Sequence, residues 1–502
     1  MFKRVQFLVF FVLVAATLYV ITEFWGSWIV TVYSVFISIS VIFIAFLIFI
    51  ENRNPSQTLN WLLVLAAFPG FGFFFYLLFG QNFRKRKMFK QKAELDLRAF
   101  KQVEGSRLFN QEEIKQMGDH QHQSFRLAQK LGNSPISFNT ETKVLTNGLE
   151  TFPAMLNELK NAEHHIHLEF YIVRDDDLGK EFKDLLIEKA KNGVEVRFLY
   201  DAVGSWELSQ SFKGELQAAG AEVVPFSPVR LPFLNNKINF RNHRKIIVID
   251  GKIGFVGGLN IGDEYIGRNE YYGNWRDTHL YMRGEAVRSL QTIFLQDWFY
   301  MTGKALLKPV YRSPEYFTEE MGGVQLIAGG PDNQWEVIKM LFFSLMTSAK
   351  GSIWIASPYF IPDEDILSAM KIAALSGVDV KLLVPNRPDK KIVYYASQSY
   401  YPELLEAGVQ IYKYNEGFLH SKIMIVDQEL ASIGTSNMDM RSFHLNFEVN
   451  AFLYKTESTD QLVADYITDI EHSTKLELEE FNKRPIYKKL YESLCRLLSP
   501  LL

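Results

Sequence analysis

The chain has 502 residues, too many for one ordinary domain, and a formal net charge of −3, which gives no overall electrostatic footprint for nucleic acid. One cysteine, Cys495, excludes an intramolecular disulfide framework and suits a reducing compartment. Aromatic residues make up 14% of the chain, a share expected where part of it sits in a bilayer.

Three apolar runs come first, at 7–21, 28–50 and 59–79. The second and third carry no charge and reach the roughly 20 residues a helix needs to cross the hydrocarbon core. Trp25, Trp28, Trp61 and Tyr76 suit an interfacial belt. The first run is shorter and has no clear cleavage site, so it reads as an uncleaved segment, either crossing or lying along the interface. Pro69-Gly70 also allows the third run to be kinked or re-entrant. The basic cluster Arg84, Lys85, Arg86, Lys87, Lys90 and Lys92 follows directly. By the positive-inside rule it and everything after it lie in the cytoplasm. The expectation is a membrane anchor over 1–87 with two or three spans, then a polar connector over 88–140. His120 and His122 in that connector lack a third ligand nearby and read as part of a solvated loop.

The remainder repeats itself. AEHHIHLEFYI (162–172) resembles AKGSIWIASPY (349–359), and each is followed by an acidic turn and an amphipathic helix (180–192 and 364–376). Gly-Val turns then lead into strands at 193–200 and 377–384, and a further helix is expected before each motif, over 212–226 and 401–414. This order predicts an α/β fold of two lobes, 141–322 and 323–502, related by a pseudo-twofold axis. Each would be a mixed sheet flanked by helices. The most informative stretches close the repeat: HRKIIVIDGKIGFVGGLN at 243–260 and HSKIMIVDQELASIGTSN at 420–437. His243, Lys245, Asp250, Gly257 and Asn260 align without a gap with His420, Lys422, Asp427, Gly434 and Asn437. Each motif runs along a buried β-branched strand and then a second short strand. His and Lys two apart on a strand share a face, so two such strands can surround one anion with two imidazoles and two ammonium groups. His164, His165, His167, His279 and His444 read as structural. The closing run Ile486, Leu490, Leu494, Leu497, Leu498 and Leu501, with Lys488, Lys489 and Arg496 beside it, has helical spacing. It reads first as a helix docked on the core and second as an interfacial helix.

The paired His-x-Lys-x4-Asp motif resembles the phospholipase D superfamily. With the apolar start NPSQTLNWLLVLAAFPGFGFFFYLLFG (54–80), the chain is similar to the bacterial cardiolipin synthases within it, over nearly its whole length. The resemblance implies phosphatidyl transfer between two phosphatidylglycerol molecules, giving cardiolipin and glycerol at the cell membrane. No cofactor, no metal and no nucleic acid partner is implied. The candidate catalytic set is His243, Lys245, Asp250, His420, Lys422 and Asp427; one imidazole attacks phosphorus while the other protonates the leaving oxygen. The spacing does not distinguish the two imidazoles; by analogy with the family His243 is taken as the nucleophile. The lysines hold the non-bridging oxygens with help from Asn260 and Asn437, while Asp250 and Asp427, at strand ends, are expected to support the site. The resemblance also implies a carboxylate after each motif to fix the imidazole: Asp277 in NWRD and Glu448 in NFE, at offsets of 34 and 28 from the motif histidines. The alternatives are a membrane-anchored phospholipase or nuclease, with water as acceptor, and a non-enzymatic scaffold. The apolar loop Val229, Leu231, Phe233 and Leu234 before the first motif favours a lipid substrate.

Overall fold

The structure, a computed structural model, describes residues 119–228, 239–312 and 322–502, with scattered helical positions between 31 and 65. The first apolar run, the basic cluster at 84–92, the connector up to 118 and the loop 229–234 lie outside these residues, as does most of the second and third runs. The chain divides into two compact units, Met1–Arg84 with Phe233–Asn236, and Lys85–Pro232 with Lys237–Leu502. In the first unit Val32, Val35, Ile39, Ile42 and Phe46 are helical and exposed, and their spacing of three and four makes one apolar stripe. Among the described residues no helix is long and apolar enough to cross a membrane.

The second unit contains both lobes. The first has β1 (Thr140–Thr146), β2 (His165–Phe170), β3 (Glu195–Asp201), β4 (Glu222–Phe226), β5 (Ile246–Ile249), β6 (Ile253–Gly257), a short β7 (Asn274–Arg276) and β8 (Thr278–Gly284). The second has β9 (Gly323–Gly329), β10 (Ser352–Ala356), β11 (Phe360–Ile361), β12 (Asp379–Pro385), β13 (Gln410–Tyr414), β14 (Gly417–Leu419), β15 (Ile423–Val426), β16 (Leu430–Gly434), β17 (Met438–Asp439), β18 (Glu448–Tyr454) and β19 (Ser473–Lys475). The main sheets run β1-β8-β6-β5-β2-β3-β4 and β9-β18-β16-β15-β10-β12-β13-β19. Apart from β19, the two orders are the same. In each, three neighbouring strands are parallel (β2-β3-β4, β10-β12-β13) and the rest antiparallel, so both sheets are mixed.

The motif strands show why the lobes join. Alternate residues of a strand face opposite sides of its sheet. Ile247 and Ile249 of β5 pack with the helices of the first lobe, and Met424 and Val426 of β15 with those of the second. The intervening residues Ile246, Val248, Ile423 and Ile425 all enter one shared core between the sheets, with Val256, Leu280, Ile433 and Val449. The unbroken apolar run of each motif is therefore a strand buried on both faces.

Two expectations are corrected. The helices before the motifs cover only Gln210–Ala218 and Tyr401–Glu406, and the second half of each stretch is a strand, β4 or β13. The break falls at Gly220 and Gly408, whose φ values of 101° and 93° take the chain out of the helix. His120 and His122 lie on a helix, Asp119–Gly132, and not in a loop. That helix buries Phe125 and Ala128 in the core of the second lobe, so this end of the connector packs as part of the lobe.

Asp250 and Asp427 end β5 and β15 in the left-handed region, at φ 53° and 52°. The Asp250 carboxylate accepts hydrogen bonds from the backbone N–H groups of Glu163 (2.9 Å), His164 (2.8 Å) and His165 (2.9 Å). Asp427 does the same for Gly351 (2.6 Å) and Ser352 (2.9 Å), and also accepts from Lys350. Each aspartate thus fixes the start of the neighbouring strand, β2 or β10. Asp250→Asn, which tolerates the same backbone conformation but offers one acceptor oxygen in place of two, is expected to cost about 2 kcal/mol of stability. Thermal unfolding in detergent should show a lowered midpoint, with turnover retained below it. Lost turnover at an unchanged midpoint would instead place Asp250 in the chemistry.

Candidate active site

Each motif histidine sits just ahead of its strand, where the chain leaves its own sheet and pairs with the other lobe. Asn242 bridges to Phe447; His243 N–H donates to the Phe447 carbonyl and Phe447 N–H to the Arg241 carbonyl, both at 2.9 Å. In the second motif β14 pairs in parallel with β7, and His420 N–H donates to the Arg276 carbonyl at 2.7 Å. The residue after Phe447 is Glu448, and the residue after Arg276 is Asp277. Backbone pairing between the lobes therefore brings each histidine beside a carboxylate of the opposite lobe.

The side chains complete the exchange. His243 Nδ1–H donates to Glu448 Oε2 at 3.0 Å, and His420 Nδ1–H donates to Asp277 Oδ2 at 2.6 Å. The carboxylates implied for the two histidines are both present, but crossed: the one that follows each motif in sequence serves the other motif's histidine. An ionised carboxylate only accepts hydrogen bonds, so each imidazole carries its proton on Nδ1 and keeps a lone pair on Nε2. Burial lowers the His243 pKa to about 4 despite the pull of Glu448. Burial, reinforced by Lys422, lowers His420 to about 3. For Asp277 burial acts upward, but Lys422 and His420 outweigh it and bring the carboxyl to about 2. Glu448 is likewise held below the usual range by His243 and Lys245 against the effect of burial. The pairs are thus neutral imidazole with ionised carboxylate.

Both lysines are buried beside these pairs. Lys245 Nζ donates to the His243 carbonyl at 2.6 Å and lies 5.4 Å from the Tyr171 ring centre. Lys422 Nζ donates to the His420 carbonyl and lies 2.8 Å from its Nδ1. Burial pushes Lys245 well below the ordinary lysine value and brings Lys422 to about 8. Aromatic rings wall the site: Tyr171 lies 5.0 Å from His243, and Trp275 lies 5.0 Å from His420 with Tyr359 at 6.4 Å. Asn260 Oδ1 accepts from Ile172 N–H at 3.0 Å, tying the motif to the end of β2. Asn437 is buried, and its Oδ1 has no hydrogen-bond partner among the described residues.

The structure therefore brings together His243, Lys245, Glu448, His420, Lys422 and Asp277, and sets Asp250 and Asp427 apart at the far ends of their strands. His165 and His167 are buried with Gln291, and Arg197 lies 3.1 Å from His167. His279 is enclosed against Gly257, and His444 lies between Glu336 and Asp363. None of these five histidine positions, His164 included, joins the paired site. Sequence reading missed the two arginines that clamp the seam. Arg244, between His243 and Lys245, donates to the Glu448 carbonyl (3.0 Å) and the Gly329 carbonyl (3.3 Å) in the second lobe and to Asp297 in the first. Arg276, just before Asp277, donates to Asp469 of the second lobe at 2.7 Å and to the Asp277 carbonyl at 2.9 Å. Their adjacency to the functional residues was the available signal.

The family described as cardiolipin synthase, PLD-like domain, matches residues 155–298 and 342–470, one segment in each lobe. A second, described as phospholipase D-nuclease N-terminal, matches 35–81. The chain is 65% identical to a cardiolipin synthase of Alkalihalophilus pseudofirmus and 62% identical to one of Halalkalibacterium halodurans, in both cases over 100% of each chain. The phosphatidylserine synthase of Haemophilus influenzae shares the fold at 16% identity, with a TM-score of 0.58 over 77% of this chain and 100% of that one. The chain belongs to the cardiolipin synthase branch of the phospholipase D-like proteins.

Proposed function

We propose that this chain is a cardiolipin synthase that moves a phosphatidyl group from one phosphatidylglycerol to another, releasing glycerol, through a phosphohistidine. The observation that carries the mechanism is the pair of carboxylate-held imidazoles, each with a free Nε2, beside two buried lysines. His243 Nε2 attacks phosphorus, the bond from phosphorus to the glycerol oxygen breaks, and His420 supplies the proton that glycerol takes away. Lys245 and Lys422 hold the non-bridging oxygens. The anionic phosphodiester between them favours protonation of His420, which the lysines alone oppose. The terminal hydroxyl of a second phosphatidylglycerol then gives its proton to His420 as its oxygen displaces the imidazole. One phosphodiester is exchanged for another, so the reaction is reversible and consumes no cofactor. The exposed apolar stripe from Val32 to Phe46 supports a membrane anchor at the N-terminus, and the basic residues Arg84, Lys85, Arg86 and Lys87 after it support a cytoplasmic side for the two lobes.

In phosphatidylglycerol liposomes the protein should release cardiolipin and glycerol one for one. Phosphatidic acid with glycerol and no cardiolipin would make it a phospholipase. His243→Ala and His420→Ala should each lower turnover by about a thousandfold or more. Glu448→Gln and Asp277→Asn, which leave the imidazole without its anionic acceptor, should lower it by about a hundredfold or more. Equal turnover in either carboxylate variant would contradict the crossed pairs.

An alkaline step follows from Lys422, brought down to about 8, with Lys245 lowered in the same direction by burial. The Lys422 ammonium is present below that pH and lost above it. The phosphodiester, once bound, stabilises the ammonium and raises its pKa. kcat/KM, which reports the free enzyme, should therefore fall above about pH 8, while kcat holds to higher pH. A flat kcat/KM up to pH 10 would exclude Lys422 from phosphate binding.

A further inference from the structure

The helix Ile486–Arg496 is oriented against the usual rule for a helix on a protein surface. An amphipathic helix in water buries its apolar face. Here the buried positions are Glu492 and Cys495. Glu492 is held by Arg484, whose Nε and one terminal nitrogen approach the carboxylate at 2.9 and 2.7 Å. Further on, Arg496 donates to Glu403 at 2.8 Å and lies over the Tyr400 ring, and Ser499 bonds Tyr400. The apolar face points away: Ile486, Leu490, Leu494 and Leu497 are 71%, 65%, 59% and 76% exposed, with Tyr487 and Tyr491 beside them. Lys489 flanks the stripe, while Lys488 shares the face of Glu492 and Cys495, four and seven residues on.

The helix rests on its neighbour Lys391–Gln398, where Tyr395 meets Tyr491 at 5.0 Å. The loop leading into that neighbour carries exposed Arg387, Lys390 and Lys391. It also reaches the active site, since Asp389 accepts a hydrogen bond from Tyr359, the ring beside His420.

We propose that the C-terminal helix seats its apolar face in the interface of an anionic bilayer, holding the His420 rim of the active site at the lipid surface. A polar face fixed by the Arg484–Glu492 pair and by the Arg496 and Ser499 contacts leaves the apolar face to meet a medium other than water. Lys489 at its edge, with the exposed Arg387, Lys390 and Lys391 nearby, can extend its positive charge toward anionic headgroups. The identity of that surface rests on the lipid-transfer reading above; its existence does not.

The test uses the full-length chain in vesicles of phosphatidylcholine and phosphatidylglycerol. A fluorophore is attached at Leu494→Cys in a Cys495→Ala background. Vesicles made with acyl-brominated lipid should quench it, relative to unbrominated ones. Absence of quenching would overturn the proposal. So would self-quenching that depends on protein density and not on bromine, which would make the stripe a contact between copies of the chain. In parallel, Leu490→Glu with Leu494→Glu should lower turnover on bilayer phosphatidylglycerol about tenfold and leave turnover on detergent-dispersed short-chain phosphatidylglycerol unchanged. An equal fall on both substrates would also overturn it. If the unsubstituted chain makes no cardiolipin, the synthase reading fails while the quenching result stands alone.

Discussion

The site depends on hydrogen bonds between each lobe's histidine and the other lobe's carboxylate, His243 with Glu448 and His420 with Asp277. Neither lobe holds a complete pair. The imidazole nitrogens to which the proposed mechanism assigns the chemistry are aimed by contacts that exist only when the lobes are joined. Separating the sheets would therefore cost both the shared apolar core and the paired site. The backbone does the aligning: residues 417–419 lie on 274–276, and Asn242 on Phe447, so every carboxylate is one residue from a peptide already paired with the opposing motif. Rigid strands position such groups more accurately than loops can.

The same seam concentrates buried charge. Isolated burial of a lysine or carboxylate is costly, and the two lysines show the strain in their lowered pKa values. Glu448 and Asp277 balance them, while Arg244 with Asp297 and Arg276 with Asp469 add ion pairs around the rim. A cleft with two ammonium groups in low dielectric gains most when a phosphodiester enters, since attraction between charges strengthens where water is excluded. The arrangement thus favours a bound anion and holds the imidazoles neutral until one arrives.

Much of this was legible in the chain itself. A gapless duplication of His, Lys, Asp, Gly and Asn placed the motif residues, and apolar runs buried on both faces placed their strands. Crossing was not legible, because the offsets of 34 and 28 residues point within a repeat, whereas inter-lobe strand pairing decides which histidine each carboxylate meets. The stretches 212–226 and 401–414 carry helical periodicity up to a glycine, and only the left-handed turn there sends the remainder into the sheet. His120 and His122 looked like a loop because their local sequence is polar; Phe125 and Ala128, further along, are what dock that helix. The C-terminal run has the periodicity of an ordinary docked helix, and nothing in that periodicity reveals that a buried Arg484–Glu492 pair turns it outward.

Trapping the covalent intermediate tests the central claim most directly. The protein would be mixed with phosphorus-labelled phosphatidylglycerol, quenched within one turnover under alkaline conditions that preserve phosphohistidine, and mapped by peptide mass spectrometry. The account predicts label on His243, at up to one phosphatidyl group per chain, chased into cardiolipin on adding unlabelled phosphatidylglycerol. Label on any other residue, or cardiolipin formed with no covalent label at all, would contradict it.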